Sequence, residues 1–467
     1  MKALWTAEDA AEATDGVTGG NWQARGVSID TRVTEPGELF VALAGERMDG
    51  HRFVKDAFGA QAAAALVSQI PPGAPRDRLL LVSDTLRALE DMGRFNRARA
   101  QARIAAVTGS VGKTSAKEML KLALSAHGSA FAGHGNFNNH IGTPLNLANL
   151  PPEAAFGVFE LGMNHAGEIA ALSRQVRPHV ALITTVEAVH LEFFASEDDI
   201  ADAKCEIFQG MEPGGIAVLN RDNQHFPRCR MRATAAGAEI LSFGFHAHAD
   251  CRVLSWQATR QGSQIRAAIG GQEVSYALNA LGEQWALLSA GVLGVVQALG
   301  LDIRKSAAAL GAFRELPGRG RLIPIPLKGG EALLVDDSYN ASPAAMRAAF
   351  GKLAALRASG AAAGRVIAAL GDMRELGVRA PELHAQLSAP LQEAGVDVVF
   401  TAGPLMRHLF IALPEHMRGS HAEDADALAP LLMEALKAGD CLLIKGSHGS
   451  KMYEIAEALQ KEAADAV

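Results

Sequence analysis

Short apolar runs alternate with amphipathic stretches along nearly the whole chain, and most of the apolar runs end in a polar or glycine-bearing loop. That rhythm predicts strands followed by helices, and therefore mainly parallel sheets. In the first hundred residues VSID (27–30), ELFVAL (38–43), AAALVS (63–68) and LLLVS (79–83) read as strands. TLRALEDMGRFNRARAQA reads as a helix leading to the next strand, IAAV (104–107). AFGVFELGMN (155–164), HVALITTVEAVHLEFF (179–194) and GIAVLNRDN (215–223) continue the pattern, each a strand with a polar exit. SEDDIADAKCEIFQGM (196–211) reads as a helix with Ser196 as its cap and acids in its first turn. Roughly 240–275 is a more polar, β-rich excursion, followed by helical ALLSAGVLGVVQALG (286–300) and KSAAALGAF (305–313).

The pattern then restarts. PGRGR (317–321) reads as a linker. ALLVDDSYNASP (332–343), RVIAALGDMRELG (365–377), VDVVFTAG (396–403) and CLLIKGSHGSKM (441–452) each run from apolar strand into polar loop. With 467 residues the chain is too long for one ordinary core. The expected fold class is α/β in three domains: a small N-terminal α/β domain over 1–100, a central domain with a mainly parallel sheet over 101–313, and a Rossmann-like C-terminal domain over 314–467. No short repeat or low-complexity tract is present.

Composition narrows the classes. Hydrophobic residues make up 49% and charged residues 20%, a globular balance. A formal charge of −7 gives no electrostatic reason for nucleic acid or an anionic membrane as partner. Four cysteines with no CxxC spacing fit a reducing compartment. The opening MKALWTAEDAAEA has acids where a signal peptide needs an apolar run, and no segment reaches the length of a membrane span. The expectation is a cytoplasmic protein.

The chemistry concentrates after the 104–107 strand. Thr108, Gly109, Ser110, Val111, Gly112, Lys113, Thr114 and Ser115 join that strand to a helix containing Met119, Leu120 and Leu124. Strand, glycine turn, Lys-Thr and helix form a phosphate cradle, with backbone N–H groups turned inward and a helix N-terminus behind them. Lys113 is placed to reach the β- and γ-phosphates of a nucleotide and the Thr114 hydroxyl to hold Mg²⁺. One departure is Val107, which stands where the common motif has its first glycine. Glu160, at a strand end, is a candidate oxygen ligand for Mg²⁺. His190 reads as a ligand or as a hydrogen-bonded loop residue, and Lys204 as a solvated lysine on an exposed helix. Asp336 and Asp337 fit either ribose binding or helix capping, and Lys445 fits an anionic group or a plain turn. SIDTR (28–32) and GERMDGH (45–51) read as turn chemistry.

These segments together resemble the Mur ligase family of ATP-dependent ligases that build the peptidoglycan peptide stem. TGSVGKTS, NFNNHIGTP, ELGMNHAGEI, VHLEFF, AKCEIF, LNRDN, PGR, DDSYNASP, GDMRELG and KGSHGSKM carry the resemblance almost end to end. DDSYNASP, GDMRELG and NFNNHIGTP point to members that add D-alanyl-D-alanine to UDP-N-acetylmuramoyl-tripeptide; the DNPR of the diaminopimelate- or lysine-adding members is absent. The resemblance implies a UDP-binding first domain using Ser28, Asp30, Thr31 and Arg32, a central P-loop ATPase domain and a C-terminal domain that closes on it. It implies ATP, a pair of Mg²⁺ ions on Thr114, Glu160, His190 and Lys204 carried as a carbamate, and a monomer. Lys113, Lys204, His190 and Asn340 become catalytic candidates. Arg319 and Asp337 become nucleotide contacts, and Asn138, Asn139, Tyr339, Lys445 and His448 substrate contacts. Two positions depart from the family pattern. Gly282 to Leu288 replaces G-R-H-N-x-x-N, putting Gln284 and Leu288 where His and Asn are usual, and His448 replaces the Arg of KGSR. The alternatives are a sibling ligase with another acceptor, and a P-loop switch that hydrolyses ATP for a partner.

Overall fold

The apolar runs become strands that assemble, in this computed structural model, into three sheets and a two-stranded ribbon. The structure describes residues 3–465 except 46, 47, 134, 136, 190, 260 and 261, with side chains described through residue 461.

The first sheet has the order Val17–Thr18, Leu79–Leu81, Ala64–Val67, Leu39–Val41, Val27–Ser28, parallel except at the Val17–Thr18 edge. All four strands expected from the sequence are there. The helix Ala7–Thr14 and the ribbon Trp5–Thr6 with Gln23–Ala24 are additions to that expectation; Thr6 caps the helix, accepting from the Asp9 N–H at 3.0 Å. The sheet docks on the next unit through polar side chains. Asn149 brackets Val27 by accepting from its N–H and donating to its carbonyl, and Asn96 donates to the carbonyls of Leu147 and Leu150.

The central sheet has nine strands. Its order is Gln272–Leu278, Gly262–Ile269, Cys251–Thr259, Glu239–Gly244, Ile216–Asn220, Val180–Ile183, Arg103–Thr108, Phe156–Glu160, Ala130–Ala132. The seven strands from Cys251–Thr259 to Ala130–Ala132 pair in parallel, and the β-rich excursion supplies the antiparallel end. Register puts Glu160 opposite Val107 and Ile183 opposite Thr108, so three strands end at one level beside the glycine turn. That is where an open parallel sheet binds ligands. Apolar clusters cover both faces, one built on Met119, Leu120 and Leu124 of the helix Lys113–Ser125, the other on Ile200, Ala201 and Ala203. Each such buried Leu or Met is worth roughly 1.5–3 kcal/mol relative to exposure.

The helix at 196–211 starts as expected, with the Ser196 hydroxyl accepting from the Asp199 N–H at 3.2 Å, but the α-helix is Glu197–Cys205 and a 3₁₀ turn Glu206–Gly210 follows. Glu206 explains part of the change. Its carboxylate accepts from the N–H groups of Gly167 and Ala170, satisfying the open N-terminus of the helix Glu168–Val176.

The C-terminal sheet has the order Arg321–Leu327, Gly330–Asp337, Cys441–Lys445, Val366–Gly371, Val398–Ala402, Arg418–Ala422. Only its first pair is antiparallel. The expected linker runs straight into Arg321–Leu327, a strand hidden in the sequence by Pro324 and Pro326 and tolerated because it lies at an edge. No helix among the described residues is long and apolar enough to cross a membrane.

Candidate active site

The glycine turn is fixed by its neighbours. Gly109 has φ +151°, and a Cβ there would strike the Thr184 hydroxyl; Gly112 has φ +84° and opens the helix Lys113–Ser125. Thr184 Oγ1 donates to the Val111 carbonyl at 2.5 Å. Ser110 donates its N–H to the Thr185 carbonyl and its hydroxyl to the Glu187 carbonyl. Val107 is buried and paired with Glu160 and Leu182, so the departure from the common motif leaves a strand residue in place of a turn glycine.

Lys113 donates to the Gly109 carbonyl at 2.7 Å, and burial pushes its ammonium below the ordinary lysine range, with the Glu160 charge pulling back. Glu160 is 6% exposed. Its Oε1 accepts from Asn138 Nδ2 at 2.7 Å, while Oε2 is buried with no partner among the described residues. A buried carboxylate oxygen without a donor costs free energy unless a cation meets it. It lies in the same cavity as Thr114, so hard oxygen donors for Mg²⁺ are present. Among the described residues no group of three or more His, Cys, Asp and Glu forms a metal cage. His190 lies outside the described residues.

Lys204 corrects the sequence reading. It is 2% exposed, inside the cluster of Ile200, Ala201 and Cys205 rather than on a solvated face. Burial drives its ammonium well below the ordinary range, and the Lys113 charge pushes it further. No hydrogen bond or ion pair to it is seen among the described residues.

The opposite wall comes from the C-terminal unit. One cavity of about 1320 Å³ is lined by Ser110 to Ser115, Asn138 and Glu160 on one side, and by Arg319, Asp337, Tyr339, Asn340, Lys445 and His448 on the other. Lys445 is buried at its strand end, donating to Asp337 Oδ2 at 2.7 Å and the Asn340 carbonyl at 3.0 Å. Burial raises the Asp337 carboxyl above its usual range, and the Lys445 charge opposes this. Helix capping falls to Ser342, not to Asp336 or Asp337. Arg319 lies 4.1 Å above the Tyr339 ring, and His448 stacks on Tyr453 at 4.8 Å. Asn139 accepts from the N–H groups of Ile141 and Gly142, starting the helix Gly142–Ala148 inside a stretch whose Asn and Gly content reads as loop. Gln284, Trp285 and Leu288 line the cavity, with Leu288 methyls next to Gly112.

Ser28, Asp30, Thr31 and Arg32 do not line this cavity. They sit at the end of Val27–Ser28, where Arg32 forks onto Asp30 (2.5 and 2.9 Å) and Thr34 donates to Ser28. The 45–51 loop ends in a buried anchor: the Ser68 N–H donates to His51 Nε2, and His51 Nδ1 meets Asp49 at 2.6 Å; Glu46 and Arg47 lie outside the described residues. Reasoning from sequence missed Glu315 and Lys352, a buried pair at 2.6 Å on the cavity wall, and Lys117, because each reads as an ordinary surface charge.

Comparison with known proteins agrees with this layout. Three family models match: "Mur ligase family, catalytic domain" over 23–79, "Mur ligase middle domain" over 107–295, and "Mur ligase, glutamate ligase domain" over 318–448. The UDP-N-acetylmuramoyl-tripeptide–D-alanyl-D-alanine ligase of Escherichia coli is 36% identical over 93% of this chain and 93% of its own. The ligase of the same name from Rickettsia prowazekii is 32% identical over 93% and 95%. Among solved structures, MurF from Acinetobacter baumannii superposes with TM-score 0.84 at 28% identity over 98% and 99% of the two chains. MurF from Thermotoga maritima in complex with ADP gives 0.76 at 27% over 95% and 98%.

Proposed function

The chain belongs to the Mur ligase family, and from that premise we infer that it joins D-alanyl-D-alanine to the terminal carboxylate of UDP-N-acetylmuramoyl-tripeptide at the expense of ATP. The observation that carries the reading is the single cavity with the phosphate cradle on one wall and Arg319, Asp337 and Lys445 on the other. A ligase that activates one substrate and receives another needs two such walls facing each other.

The tripeptide carboxylate attacks the γ-phosphorus, the bond to the ADP oxygen breaks, and an acyl phosphate forms. The acceptor amine then attacks the acyl carbon, phosphate leaves, and the nitrogen sheds a proton. Lys113 and the inward N–H groups offset charge on the transferring phosphoryl group. Thr114, Glu160, His190 and Lys204 are proposed to hold Mg²⁺, which supplies charge neutralisation at the phosphates when bound. The Glu160 oxygen without a partner among the described residues supports this. Carbamylation of Lys204 fits a buried amine that favours its neutral form, since only the neutral amine adds CO₂; the product is an oxygen-bearing anion suited to a hard cation. Asp337 and Arg319 are assigned to ribose and phosphate. Tyr339, Asn340, Lys445 and His448 are assigned to the acceptor side, Asn138 and Asn139 to the peptide substrate, and Ser28 to Arg32 to the UDP end. The domain limits 1–100, 101–313 and 314–467 follow the same reading. Both walls come from one chain, so a monomer suffices, and the reaction is placed in the cytoplasm.

The test is phosphate release with Mg-ATP, UDP-N-acetylmuramoyl-tripeptide and a set of acceptors. Release must need both the UDP substrate and D-alanyl-D-alanine, with the matching mass gain on the product. Hydrolysis indifferent to the UDP substrate, or a Lys113→Ala protein of near-normal rate, refutes it.

A further inference from the structure

Lys117 stands one helical turn after Lys113 and is 1% exposed. Its ammonium donates to the carbonyls of Gly133 at 2.7 Å and Gly135 at 2.6 Å, and the Glu118 carboxylate lies 3.2 Å away. Two of the three N–H donors of the lysine thus go to backbone carbonyls, and Glu118 is its ion-pair neighbour. Burying a charge to hold two glycine carbonyls costs several kcal/mol before any return, so a plain core position is better served by Met or Leu.

The loop it holds leads to Glu160. Gly133 donates to the Val158 carbonyl, in the strand that ends at Glu160. A Cβ on Gly133 would strike the Asn146 amide, which itself donates to the Phe137 carbonyl at 2.9 Å. Asn138 follows. Its carbonyl accepts from the Gly162 N–H at 2.8 Å, and its amide donates to Glu160 Oε1 at 2.7 Å. With one carboxylate oxygen occupied in this way, the other is buried with no partner among the described residues, on a residue that lines the cavity.

We propose that Lys117 is a positioning residue for the metal-binding carboxylate Glu160, acting through the carbonyls of Gly133 and Gly135 and the Asn138 amide. The proposal rests on the assignment of Glu160 to Mg²⁺. Lys117 does not line the cavity; it holds Gly133 and Gly135, and Asn138 holds the Glu160 rotamer.

The experiment is calorimetric binding of ADP in EDTA and in excess Mg²⁺, on the full chain. Lys117→Met is expected to keep the EDTA affinity within about twofold and to lose ~tenfold or more of the gain from Mg²⁺, the size of one charge-assisted hydrogen bond. Asn138→Ala should show the same selective loss, and K117M added to N138A should cost nothing further, because both act on one chain of contacts. Equal losses with and without Mg²⁺, an unchanged Mg²⁺ gain, or additive effects in the double variant overturn the proposal. Glu160→Gln separates the two levels: if it keeps the Mg²⁺ gain, the metal assignment fails. If it loses the gain while K117M does not, only the role of Lys117 fails. Should K117M not fold, Lys117→Gln keeps a donor for one carbonyl and is expected to lose an intermediate share of the Mg²⁺ gain; no selective loss overturns the proposal equally.

Discussion

Glu315 and Lys352 give a pH dependence that can be worked from the structure. Their side chains are 6% and 2% exposed, Lys352 donates to Glu315 Oε1 at 2.6 Å, and it also donates to the Gly320 carbonyl. Burial raises the Glu315 carboxyl to about 7, against the pull of the Lys352 charge. In the unfolded chain a glutamate titrates near ~4.3. Between those values the folded chain keeps a proton that the unfolded chain has released, so stability falls as pH rises through the window. Below the window this group imposes no penalty, and above it the penalty is constant. The whole span is worth about 3.7 kcal/mol, of which roughly 2.5 kcal/mol is lost between about pH 5 and pH 8. Glu315→Gln keeps an oxygen for Lys352 and removes the titrating group. Urea unfolding of both proteins, followed by tryptophan emission at the two pH values, reads the difference. The wild-type chain is expected to lose about 2.5 kcal/mol more than the variant on going to the higher pH. A difference under about 0.5 kcal/mol refutes the reasoning, because it means that water or relaxation screens the pair.

Gly109→Ala places a methyl against the Thr184 hydroxyl at a backbone conformation that suits glycine, and ADP binding measured by calorimetry should fall at least ~100-fold while the far-UV spectrum is unchanged. Lys445→Met removes the ion-pair partner of the partly buried Asp337 carboxyl; chemical unfolding should show a loss of roughly 1–3 kcal/mol, largely restored by adding Asp337→Asn. Ser196→Ala removes the cap of the helix that carries Lys204 and should cost about 1 kcal/mol in unfolding experiments. Incubation with ¹³C-bicarbonate should give a carbamate carbon signal that is absent from Lys204→Ala; the same spectrum from both proteins removes the modified lysine from the site.

What the sequence made legible was contiguous. The cradle from Thr108 to Ser115 could be read because its glycines, lysine and threonine act through local backbone geometry. The strands could be read because those with both faces covered are apolar throughout, as Ile104–Val107 is. Arg321–Leu327 and Arg418–Ala422 escaped because edge strands carry prolines and polar residues that resemble loops. Lys204 misled for a different reason. Its helix opens with the acids Glu197, Asp198 and Asp199, which mark solvent exposure at one end and say nothing about the face that turns inward at Lys204. The Gly133 carbonyl that Lys117 holds lies 16 residues away and Glu315 and Lys352 are 37 residues apart, and no local pattern encodes such pairings.

The order of strands in the C-terminal sheet has a consequence for synthesis. Cys441–Lys445 is the last of the six strands to leave the ribosome, yet it lies in the middle, between Gly330–Asp337 and Val366–Gly371. Until it arrives, the strand that carries Asp337 has no neighbour on that side, and Lys445 is missing from the cavity wall. The cradle can be assembled much earlier, since domains fold from the N-terminus onward as the chain emerges. A nascent chain therefore holds a phosphate-binding half before it has the half that faces it. The enzyme becomes whole in a single late event, the insertion of one central strand.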